Sequence, residues 1–194
     1  MLKRIVLVLA ALSLLAVIGC SKAPEAEMQR ANSAQEAARM AEAEVYVPDL
    51  YRAAMDTLNS ALALKQEQDS KFALFRSYGK SKEGFVRAEE MFANVAAEAQ
   101  AEKEKVRIQV EQMLTESKAL VDSVNAALAK APRGKGSKAD IELIKNDIAA
   151  VQTQLTEAEG DFAAGKFMTA KSKLDAVTQR SRDIMAEIAK ASGK

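Results

Sequence analysis

The chain has 194 residues, with 28 lysines and arginines against 27 aspartates and glutamates, one cysteine, no histidine and no tryptophan. A charge balance this even gives no electrostatic case for a nucleic-acid partner, which calls for a basic patch. The missing histidine and the lone thiol leave ordinary zinc, haem and general-base chemistry without their usual side chains, so no enzyme activity, cofactor or metal site is expected.

Residues 1–19 read as a leader. Lys3 and Arg4 make a short basic head, and residues 5–18 are apolar apart from Ser13. That run is shorter than the roughly 20 residues a membrane span needs, and its layout fits a secretory signal that is removed. It ends in Val17-Ile18-Gly19-Cys20, the only cysteine of the chain.

This ending resembles a bacterial lipobox, in which small or aliphatic residues precede a cysteine that is diacylated and becomes the first residue. The resemblance implies that Val17, Ile18 and Gly19 are recognition positions and that Cys20 carries lipid. A plain secretory signal with an incidental cysteine is the alternative. Acyl chains on the thiol and the new amino group together exceed the two-signal threshold for stable anchoring, at about 0.8 kcal/mol per buried methylene. In lipoproteins of this kind, a serine after the cysteine sorts the chain to the outer membrane and an aspartate retains it in the inner one. Ser21 therefore implies the periplasmic face of the outer membrane, with the inner membrane as the alternative. Cleavage before Cys20 leaves 175 residues, with 26 basic against 27 acidic.

The mature chain reads as all-α. The best helix formers dominate, no segment alternates apolar and polar residues over β-branched positions, and the three prolines mark breaks. After a tether at residues 20–24, helix one is expected over 25–44 on a seam of Ala31, Ala34, Ala38, Ala41 and Val45. Pro48 suits the first turn of helix two, over 48–66, with Tyr51, Ala54, Leu58, Ala61 and Leu62 inward. Asp69 or Ser70 is placed to cap the next helix.

Helix three is expected over 71–130, with Gly79 and Gly84 as weak points. Its seam is Phe85, Ala88, Phe92, Val95 and Ala99, then Val106, Val110, Met113, Leu120, Val124 and Ala127. Two steps of four fall together at Glu102, Val106 and Val110, a stutter that unwinds a supercoil locally. The turn at residues 131–136 follows. Ser137 to Asp140 is a capping signature ahead of helix four, on heptads from Ile141 through Ile144, Ile148, Val151, Leu155 and Ala158 to Phe162. Gly165 suits a positive-φ stop. Helix five continues on Phe167, Ala170, Leu174, Val177, Ser181, Ile184 and Ile188. The 3-4 spacing of both seams predicts an antiparallel hairpin with coiled-coil packing.

The expected organisation is a signal at 1–19, the lipidated cysteine and tether at 20–24, and an N-terminal helical bundle over 25–130 that includes the long helix. A loop at 131–137 and a C-terminal hairpin over 138–190, packed on the long helix, complete it. The fold class is an elongated rod of two three-helix bundles with one long shared helix. Tyr46, Tyr51, Phe72, Phe75, Tyr78, Phe85 and Phe92 are assigned to the first bundle's core, and Phe162 and Phe167 to the turn of the second.

Residues 47–62, with the Ala-rich stretch 85–96, resemble the domain of unknown function 4398 family, whose members are short helical hairpins, often envelope lipoproteins. The family transfers no catalytic residue. Residues 165–174 are similar to the turn and second helix of a tetratricopeptide unit. The period of about 34 residues is absent, and a simple helical turn is the reading adopted.

Lys130, Arg133, Lys135 and Lys138 concentrate charge around two glycines, either as an anion contact or as a solvated turn that complements a helix C-terminus. Glu89, Glu90 and the alternating charges of residues 102–105 read as exposed helix face. The loose tail ending in Lys194 resembles that of murein lipoproteins, whose C-terminal lysine is joined to peptidoglycan, although their aromatic-basic ending is missing here. The function expected is a lipid-anchored structural or adaptor element of the cell envelope. Its partners would be the membrane, an envelope protein or a second copy, and peptidoglycan. The alternative is an accessory subunit of a transport or secretion complex that docks a partner helix on the helix-one seam.

Overall fold

A computed structural model of the chain describes residues 22–131 and 138–191. Among the described residues the protein is all-α, with six helices, one 3-10 turn and no strand. The helices are α1 (Glu25–Met40), α2 (Ala43–Tyr46), α3 (Pro48–Asp69), α4 (Gly79–Lys130), α5 (Lys138–Ala163) and α6 (Phe167–Ala191). Two compact units divide at Glu102 and Lys103, inside the 52-residue α4.

In the first unit, α1 and α3 run antiparallel. Lys65 pairs with Glu25 at 3.0 Å, and Gln35 donates to the Met55 sulfur at 3.0 Å. The first part of α4 runs back along both. Tyr51 meets Phe92 edge-on at 5.7 Å, and Arg30 holds Glu89 at 3.1 Å. Phe85 and Phe92 are fully buried with Ala31, Ala38, Ala54 and Ala88 around them. Alanines on the seams bring the backbones close, and the two phenylalanines supply most of the buried area, at about 1.5–3 kcal/mol each.

Helix one ends earlier than its seam predicts. Glu42 takes left-handed φ of 58° and ψ of 34°, and the one-turn α2 restarts behind it. This resets the register, so Ala43 and Tyr46 go inward and Val45 is left 50% exposed. Burial of the large Tyr46 ring offsets a non-glycine residue in the left-handed region, which costs about 1–2 kcal/mol. Val47 then leaves the helical region ahead of Pro48, as a residue before proline prefers. Helix two keeps its start and extends to Asp69. Leu62, expected inward, is 37% exposed.

Residues 70–78 are not α-helical; within them Ala73–Phe75 form the 3-10 turn. Ser70 is the C-cap of α3, and neither it nor Asp69 caps the next helix. The Arg76 guanidinium donates to the backbone oxygens of Asp69 and Lys71 at 2.9 Å each, and Ser77 N–H donates to Gln68 Oε1 at 3.1 Å. These side chains take up backbone groups that a continuing helix would have paired. Phe72 and Phe75, expected in the core, are exposed instead, and only Tyr78 of that aromatic group turns inward.

Along α4 the buried positions run Ser81, Phe85, Ala88, Phe92, Val95 and Ala99, then Val106, Val110, Leu114, Ser117, Val121 and Val124. The successive steps of four extend to Leu114. The seam beyond therefore falls on Leu114 and Val121, and the expected Met113, Leu120 and Ala127 are only half-buried.

In the second unit, α5 and α6 form the expected antiparallel hairpin. Ile144, Ile148, Val151, Leu155 and Ala158 are buried facing Ala170, Leu174, Val177, Ser181, Ile184 and Ile188. Gly165 has φ of 75°, its N–H bonds to Phe162 O, and Lys166 N–H bonds to Asp161 O at 2.9 Å. This paired capping is the Schellman pattern. Phe162 and Phe167 close over it with centroids 5.5 Å apart. The latter part of α4 is held by a Lys118–Glu159 ion pair at 2.6 Å and a Ser117–Thr178 hydroxyl contact at 3.3 Å.

Candidate functional site

Most residues singled out in the sequence lie outside the described part. Val17, Ile18, Gly19, Cys20 and Ser21 precede it, Arg133 and Lys135 fall in the gap, and Lys194 follows it. Lys130 is the exposed last residue of α4, where a cation complements the helix C-terminus. Lys138 opens α5, with its side chain outside the described residues.

The site next to Cys20 in the chain can be built from its neighbours. Lys22 to Pro24 lead directly into α1. The first turn of α1 carries Glu25 and Glu27, acidic as a helix N-terminus favours. Glu25 accepts from Lys65, which also holds Asp69 at 3.0 Å. Glu27 pairs with Lys82 at 3.3 Å and lies 4.0 Å from Arg30. The Tyr78 hydroxyl donates to Asp69 at 2.5 Å.

This network ties the start of α1, the end of α3 and the start of α4 into one end of the first unit. Tyr78, with Lys65 behind it, holds the Asp69 carboxyl below its ordinary range. Asp69 in turn raises the Tyr78 phenol. Glu25, then Asp69, keep Lys65 protonated above its ordinary range. A backbone hydrogen bond, with a contribution from Lys82, lowers Glu27.

Between Asp69 and Gly79, the same end carries Phe72 at 70%, Leu74 at 54% and Phe75 at 76% exposure. Phe72 and Phe75 lean on one another at 6.3 Å. Sequence reasoning placed both rings in the core. Their spacing of three, which continues to Tyr78, is that of a helical seam, so no local signal separates them from core positions. Lys71 and Arg76 flank them directly.

The described surface offers shallow grooves. One of about 580 Å³ lies over Ala26, Arg30, Ala34 and Glu89. A second, of about 340 Å³, runs beside the aromatic loop between Leu64, Lys71, Phe75 and Lys80. Among the described residues no group of three acidic side chains is arranged to hold a metal ion, and no helix is long and apolar enough to cross a membrane. Glu89, read from sequence as exposed face, is half-buried and binds Arg30 across the helix interface.

No family model, no curated protein and no solved structure matches the chain.

Proposed function

We propose that the chain is a non-enzymatic, lipid-anchored helical protein of the bacterial envelope. Cys20 holds it at the periplasmic face of the outer membrane, where it acts as a structural spacer or adaptor. The observation that carries this reading is the sequence of basic head, apolar run and Val17-Ile18-Gly19-Cys20. The position of α1 supports it, since packed structure begins at Glu25, five residues after the cysteine. The α1 seam supports a structural role, because Ala31, Ala38 and Ala41 are already covered within the unit. On the same reading, membership of the domain of unknown function 4398 family, contact of the basic turn with anionic polymer, and attachment of Lys194 to peptidoglycan are further proposals.

An accessory subunit of an envelope complex is the second reading. Met40 at 74% and Val45 and Leu50 at 50% exposure favour it, clustered where α1 breaks and α3 begins. A partner would meet these side chains, not the alanine seam.

Membrane fractionation with mass measurement of the Cys20 peptide tests the anchor. An acylated peptide is expected in the outer membrane, and Cys20→Ser is expected to release the chain to the soluble fraction. An unmodified Cys20 in a chain that still sediments with membranes would remove the reading. Crosslinking on intact cells separates the roles. One dominant envelope partner marks an adaptor, and links to self or to peptidoglycan mark a spacer.

A further inference from the structure

We infer that the loop carrying Phe72, Leu74 and Phe75 is a second membrane contact, entering the lipid interface beside the acylated Cys20. The inference rests on the lipid-anchor reading for its geometry. Lys65 bridges Glu25 and Asp69, and Lys82 holds Glu27. The loop between Asp69 and Gly79 therefore lies at the α1 N-terminal end of the first unit. Cys20 stands five residues before Glu25, and five residues reach at most about 18 Å. Acyl chains on Cys20 and the side chains of the loop thus meet one lipid surface.

The loop is built to enter that surface as a formed element. Phe75 N–H bonds to Phe72 O at 2.8 Å and Arg76 N–H to Ala73 O at 3.4 Å, so the 3-10 turn pairs part of its own backbone at the tip. Polar backbone groups that are already paired are what lipid tolerates. The base is clamped by Arg76 on two backbone oxygens of α3 and its flank. Three large apolar side chains project beyond the clamp, two of them aromatic, the residue type enriched where water meets lipid. Of the cations at this end, Lys65 holds Glu25 and Asp69, Lys71 holds Glu67 and Lys82 holds Glu27. Arg76 is bonded to backbone oxygens, and Lys22 and Lys80 are exposed. Insertion therefore rests on the apolar side chains, with Lys22 and Lys80 left to meet lipid headgroups.

The chain has no tryptophan, so Phe75→Trp makes a single emitter at the loop. The full chain with this substitution is purified from membranes and placed in vesicles with brominated acyl chains. Phosphatidylcholine is used alone and mixed with phosphatidylglycerol, and the Cys20 peptide is weighed in the same sample. The expected result is blue-shifted emission, quenched by bromine in both lipids and little changed by salt. A tryptophan at the exposed Asn94 should stay in water. Adding Phe72→Ser and Leu74→Ser should abolish the quenching.

Aqueous emission from a chain with acylated Cys20 would overturn the loop contact and leave the anchor standing. Quenching by added vesicles with Cys20 unmodified would support the loop and sink the anchor. No quenching with Cys20 unmodified would overturn both. A blue shift without bromine quenching would mean that a second copy or another protein covers the loop, and would also overturn the inference.

Discussion

At Gly84 the missing side chain is what lets α3 and α4 close. A Cβ there would stand 2.8 Å from Ala61 Cβ and 3.3 Å from its Cα. Alanine is the better helix former by about 1 kcal/mol, yet overpacking of this kind costs about 1–3 kcal/mol. Gly84→Ala is therefore expected to lower the urea midpoint. Ala61→Gly in that background should recover part of the loss, giving a double mutant more stable than the two single changes predict. From sequence Gly84 is a weak point of a helix, because propensity is local and the approach of a second backbone is not. Ser181 presents the reverse case. Its heptad position is legible, but its buried hydroxyl has no hydrogen-bond partner. Burying an unpaired polar group is unfavourable, so Ser181→Ala should leave thermal stability unchanged or raise it by about 1 kcal/mol. A clear loss would show that the hydroxyl is satisfied in solution.

At the scale of elements, ends are where local rules and packing compete. The α5–α6 turn follows local rules. Gly165 sits at φ of 75° with open space around a would-be Cβ, so the whole cost of Gly165→Ala lies in the backbone. About 1–2 kcal/mol of destabilisation is expected, and less for Gly165→Asn, both readable by chemical denaturation. The α3–α4 connection follows contacts distant from the helical pattern. Tyr78 and Lys65 hold Asp69 below its ordinary range. A carboxyl lowered in the folded state contributes stability above its unfolded pKa, about 3.9. That contribution is lost as pH falls through the folded value. Unfolding midpoints should therefore drop in acid below about pH 4, and Asp69→Asn should flatten part of that drop. Lys65 has the opposite sign. Its raised pKa contributes below its unfolded value and is lost as alkali carries pH through the folded one. Lys71, Phe72, Ala73, Leu74 and Phe75 suit a helix residue by residue. Nothing local in them announces that Arg76 and Gln68 close a loop instead.

At the scale of the whole molecule, each unit has its own core. Phe85 and Phe92 centre the first, and Val110, Val124, Leu174 and Val177 centre the second. Leu174→Ala should destabilise by about 2–5 kcal/mol. Hydrogen exchange is expected to rise in α5, α6 and residues 106–124, and to change little in α1 and α3. Equal loss of protection in α1 would show one cooperative core instead of two. The sequence by itself determined the helical class, the starts of α1, α3 and α6, the α5–α6 hairpin and its Gly165 stop. Helix period, proline and glycine are all encoded along the chain. Tertiary structure alone decided the break at Glu42, the register beyond Val110, and the fate of Phe72 and Phe75. Each of those depends on which neighbouring helix offers room for a side chain, and only packing supplies that neighbour.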